Sequence, residues 1–115
     1  MTLDVFDYFW NTYRDLFSKY NCIDDYTQIY IIKDNIFHFE TAKWDWASCN
    51  DIDIDNMIND FDIIIKEMFG NVPKIKTEKT DNYTIIIEYQ ITDEIKDAIC
   101  ILSKVNGYEV FESEL

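Results

Sequence analysis

Few residues in this chain have the type and spacing to do chemistry. His38 is the single histidine, so any Ser-His-Asp or Cys-His arrangement has to use it, and Cys49 is the thiol nearest to it in sequence. No nucleophile-elbow pattern surrounds it. Its neighbours Phe37 and Phe39 read instead as a half-exposed strand position. One histidine cannot build a three-histidine metal centre. Cys22, Cys49 and Cys100 are odd in number, widely separated and without a C-x-x-C pair, which predicts reduced thiols rather than disulfides or a zinc site. Gly70 and Gly107 are the only glycines, too few for the loops that cradle nucleotide phosphates.

One run invites a metal. Asp51-Ile52-Asp53-Ile54-Asp55-Asn56 sets oxygen ligands at alternate positions, as a calcium loop begins, with Ile58 at the eighth position and Asp62 at the twelfth. The run resembles the EF-hand pattern but departs from it where a sharp turn needs glycine and where a bidentate glutamate closes the loop. Ile54 also fits the apolar stripe of a helix. The run therefore reads as a first helical turn whose aspartates favour the positive end of the dipole, with calcium binding a subordinate alternative. Carboxylate pairs for acid–base work are not informative among 23 acidic residues. The expectation is a protein without catalytic residues, cofactor or metal.

The elements that position these residues follow from periodicity. Residues 3–20 carry an apolar stripe at helical spacing (Phe6, Phe9, Trp10, Tyr13, Leu16, Phe17, Tyr20), with Thr2 as expected N-cap. Two β runs flank Asp34-Asn35. A two-residue turn there would pair Ile32 with Phe37 and Tyr30 with Phe39 and set all four on one face. Lys43 to Ala47 reads as a third short strand or as a continuation past a bulge near Ala42. A second helix over 53–69 buries Met57, Ile58, Phe61, Ile64, Ile65 and Met68 and stops at Gly70. Lys74 to Thr80 reads as a charge-protected edge strand, a turn follows at Asp81-Asn82, and Ile85 to Ile87 read as an inner strand. Thr92 caps a third helix with Ile95, Ala98, Ile99, Leu102 and Val105 inward, and Tyr108 to Phe111 form a last strand or docked tail. The order α-ββ-α-ββ-α predicts a single α+β domain over residues 1–115, with hairpins packed against about three helices. Helix starts about 50 residues apart suggest two αββ halves, although identity between them is too thin to establish a duplication.

Charge carries the functional reading. The chain has 115 residues and a formal charge of −13, which disfavours direct contact with nucleic acid or anionic membranes. No stretch is long and apolar enough to span a membrane, and the acidic N-terminus lacks the positive region of a secretory signal, so a bacterial cytoplasmic location is expected. Residues 1–62 hold 13 acids and 4 bases, net −9, and residues 63–115 hold 10 and 6, net −4. An acidic field kept despite its self-repulsion fits a basic protein partner. The expected docking set is Asp45, Asp51, Asp53, Asp55, Asp60 and Asp62, with Trp44 and Trp46 either anchoring the contact or belonging to the core.

In size and acidity the chain is similar to small phage proteins that block restriction or CRISPR effectors, in some cases as nucleic-acid mimics. It is similar also to immunity proteins that neutralise nuclease toxins. The first class is the preferred expectation, toxin immunity the alternative, and an acidic adaptor a third, acting as a monomer or small homo-oligomer.

Overall fold

The computed structural model describes residues 2–15, 26–42, 51–80 and 84–113. Among these, six strands and three helices run in the order β1 (Thr2–Asp4), α1 (Phe6–Thr12), β2 (Tyr26–Ile32), β3 (Ile36–Ala42), α2 (Asp51–Phe69), β4 (Lys74–Lys79), β5 (Thr84–Gln90), α3 (Asp93–Val105) and β6 (Phe111–Ser113). The strands form one antiparallel sheet ordered β4-β5-β3-β2-β1-β6. The architecture is the α+β one expected, with the helices packed on a common face.

That face is dictated by alternation. Ile29 and Ile31 of β2, Phe37 and Phe39 of β3, and Ile85, Ile87 and Tyr89 of β5 are all buried, as period-two spacing requires of strands with one covered face. The ring of Phe39 packs tilted against that of Phe61 of α2, centroids 4.4 Å apart, and the Phe37 ring lies 5.0 Å from that of Phe9 of α1. α3 contributes Ile99, which is fully buried. Met57, Ile58, Phe61 and Ile65 fall on one stripe of α2, and Gly70 (φ +77°) ends that helix by donating its N–H to Lys66 O. α3 begins as expected, with Thr92 Oγ1 accepting from Ile95 N at 3.2 Å.

The structure corrects the N-terminal expectation. Thr2 to Asp4 form a strand rather than a first helical turn. They lie between β2 and β6, with Leu3 opposite both Ile31 and Glu112. Backbone bonding on two sides outweighs the helical stripe of the following residues. The helix entry passes to Asp4, whose Oδ1 accepts from Phe6 N at 2.9 Å. Helical geometry breaks at Tyr13 (φ −118°, ψ 27°) and resumes at Arg14 and Asp15, and 16–20 lie outside the described residues.

A second correction is the register of the first hairpin. The pairs are Ile31 with Phe37 and Ile29 with Phe39, around a three-residue turn, Lys33 to Asn35. One residue of slip exchanges the faces of β2, so Ile29 and Ile31 point to the core in place of Tyr30 and Ile32. The turn takes this form because it is stitched to the β5–α3 junction. Asn35 O accepts from Ile91 N at 2.9 Å, Asp34 O accepts from Gln90 Nε2 at 2.8 Å, and the Asn35 amide donates to the Asp93 carboxylate. Asp34 and Asn35 hold φ of 67° and 58°, values these two residue types tolerate best after glycine.

Lys74 to Lys79 form the exposed edge strand expected, and β5 is internal. The turn at Asp81-Asn82 and the segment Lys43 to Ala47 lie outside the described residues.

Candidate functional site

The acidic run of α2 shows how this protein uses its charge. The helix puts Asp55 and Asp62 seven residues apart, hence two turns apart on one side, and that side faces β4. Lys79 Nζ reaches Asp55 Oδ1 at 3.0 Å, and Lys74 Nζ reaches Asp62 Oδ2 at 2.8 Å. The other oxygen of Asp62 accepts from the Tyr89 hydroxyl. Burial, then the hydrogen bond to Asp62, push the Tyr89 phenol well above its usual range. Two members of the expected docking set therefore fasten the edge strand to the helix beneath it.

Asp60 is half-buried and has an interaction of its own. Asp51 and Asp53 lie on the first turn of α2, but their side chains fall outside the described residues, as do Trp44, Asp45 and Trp46 entirely. The whole of 51–69 is helical, and alternate positions on a helix lie about 200° apart around its axis. The alternation that begins a calcium loop has no loop here.

Between the end of α2 and β5 lies an open pocket of about 400 Å³, lined by Asp62, Ile65, Lys66, Gly70 to Lys74 and Tyr89. Asp62, Lys74 and Tyr89 of the clamp supply part of its polar lining, with Lys66 and Asn71 beside them.

On the sheet face opposite the helices, the register sets Asp4, Tyr30, His38, Glu88 and Lys76 in one row across five strands. His38 Nδ1 is 2.7 Å from Glu88 Oε2 and its Nε2 is 3.4 Å from Glu40 Oε1. The histidine is a half-buried strand residue flanked by two carboxylates. Among the described residues no group of three or more His, Cys, Asp or Glu is placed to hold a metal. Cys100 is a free thiol, half-buried, with its pKa raised chiefly by that burial.

The sequence reading missed a groove where α1, the end of α2 and α3 meet. Tyr8, Tyr13, Met68, Phe69, Ile95, Ala98, Ile99 and Leu102 line about 360 Å³, with Glu94 in the wall. Ala98, Leu102 and Val105, expected inside, are exposed, and Val105 is 77% so. The reason is local. α3 has two apolar stripes, and the one that packs inward passes through Ile95, Ile99 and Ser103. Ser103 tolerates full burial because its Oγ donates to Ile99 O at 2.8 Å while its carbonyl accepts from Tyr108 N. Gly107 (φ +83°) turns the chain so that Tyr108 returns against Tyr8, covering that side. Ala98, Ile101, Leu102 and Val105, at i, i+3, i+4 and i+7, remain as a second stripe, and that spacing was the available signal. Comparison with family models, with curated proteins and with solved structures found no match for this chain.

Proposed function

We propose that this protein is a small acidic inhibitor that binds a basic, nucleic-acid-handling protein and blocks it sterically, in the manner of inhibitors of restriction or CRISPR effectors. One observation carries the reading: the carboxylates are divided between two uses. All three lysines of β4 are held by carboxylates of the same molecule, Asp62, Glu78 and Asp55. Asp7, Asp15, Asp34, Glu67, Glu94, Asp97, Glu109 and Glu112, by contrast, are exposed and enter no ion pair among the described residues. These groups repel one another in the free protein and are complementary to a surface built to hold phosphates. Their field steers a basic partner from a distance and selects against acidic ones.

The test presents the immobilised protein with a panel of basic nucleic-acid enzymes: restriction endonucleases, CRISPR effectors and nuclease toxins. The expected result is retention of a restriction or CRISPR effector with loss of its nuclease activity. Affinity should fall at least about tenfold between about 50 mM and about 500 mM salt. Retention of a nuclease toxin instead reassigns the protein to toxin immunity. Binding indifferent to salt removes the charge argument.

A further inference from the structure

We infer that the groove between α1 and α3, continued by the exposed stripe of α3, is where a basic amphipathic helix of the partner protein docks. This rests on the reading of the protein as a binder of basic partners and adds the place and the recognition mode. The groove offers Tyr8, Tyr13, Phe69, Ala98 and Leu102 as apolar floor. Beyond it Ile101 and Val105 are 60% and 77% exposed. Contiguous apolar surface of this kind marks an interaction site rather than ordinary scatter. The i, i+3, i+4, i+7 spacing is the one a partner helix reads across a helix–groove contact.

Charge decides the occupant. Glu94 stands in the groove wall, and Asp97 lies one turn before Ile101 on the same helix. Glu67 lies close enough to Tyr13 to help raise its phenol pKa, behind the larger effects of burial and Tyr8. Lys104 is the cation at the far end of the stripe. A second copy of this chain would bring its own −13 to the same acidic rim, whereas lysine or arginine flanking an apolar stripe would complement it.

The experiment titrates the full-length, isotope-labelled protein with a synthetic helix of leucines at i, i+3, i+4, i+7 among lysines, and with its glutamate counterpart. Amide shifts should concentrate at Tyr8, Tyr13, Phe69, Ala98 and Leu102, with the lysine peptide at least about tenfold tighter at about 50 mM salt. Leu102→Lys should remove that binding, as should Ala98→Lys, while both variants keep the parent melting temperature because both positions are exposed. Shifts centred elsewhere, no binding, or equal binding of the two peptides overturns the proposal. Concentration-dependent self-association abolished by Leu102→Lys also overturns it, assigning the groove to a second copy. The two readings fail separately. A basic nuclease bound salt-dependently but equally by Leu102→Lys ends the groove and leaves the inhibitor. Peptide binding in the groove with no basic enzyme retained does the reverse.

Discussion

The two hairpins occupy equivalent places in the sheet and solve opposite problems. In the order β4-β5-β3-β2, with β5 antiparallel to β3, each hairpin sends its second strand to the centre and its first strand outward. β2 is then covered on its outer side by β1, and its alternating isoleucines face the helices. Among the described residues β4 has no neighbour beyond it, and every one of its residues is exposed. It is Lys-rich, carries a bulge between Lys74 and Lys76, and is pinned to α2 through Asp55 and Asp62. Unpaired edges invite further strands, and charge together with a bulge is the usual protection. Acid count is therefore a poor guide to acid use: some of the 23 acidic residues are structural.

The comparison is broken most easily at the interior hairpin. Phe39→Ala or Phe61→Ala removes one ring of the 4.4 Å contact between β3 and α2 and should cost about 3–5 kcal/mol in denaturant unfolding. Thr77→Ala on the exposed β4 should stay within about 0.5 kcal/mol. Equal costs would mean that β4 is no passive edge.

The clamp comes next. Asp62→Ala leaves the Tyr89 hydroxyl and Lys74 without their shared acceptor, an expected loss of about 1–3 kcal/mol. Tyr89→Phe should cost less, since it removes the donor and leaves Lys74 on Asp62. The alkaline limb follows in sign. Tyr89 stays neutral in the fold and its pKa lies above the unfolded value of 10.0, so its contribution is whole below about pH 10 and falls as pH rises beyond it. Stability measured from pH 9 upward should decline more shallowly in Tyr89→Phe than in the parent.

The smallest effect belongs to Asp55→Asn. Its side chain is 61% exposed and that of Lys79 44%, so solvent screens the pair and the change should stay within about 0.5 kcal/mol, vanishing in high salt.

Much of this was legible in the sequence wherever one local signal decided the outcome. Gly70 ends α2, Thr92 caps α3, and the lysines of 74–79 mark the edge because each acts within a few residues of itself. The misreadings share a different cause. Thr2 to Asp4 became a strand because β2 and β6 supply backbone partners on both sides. The Asp34-Asn35 turn took three residues because Gln90 and Ile91, far along the chain, bond to its carbonyls. α3 turned its second stripe outward because Tyr108 folds back over Ser103. The acids of the docking set follow from charge, which does not say that β4 lies beside α2 and takes up Asp55 and Asp62.

The central claim is that Asp55 and Asp62 of α2 hold the fold while the carboxylates at the groove meet the partner. Its most direct measurement compares Asp55→Asn/Asp62→Asn with Glu94→Gln/Asp97→Asn, titrating each against the lysine–leucine helix at about 50 mM salt and melting each alone. The first pair should lower the melting temperature and leave affinity unchanged. The second should leave the melting temperature unchanged and reduce affinity at least about threefold. The reverse assignment would contradict it.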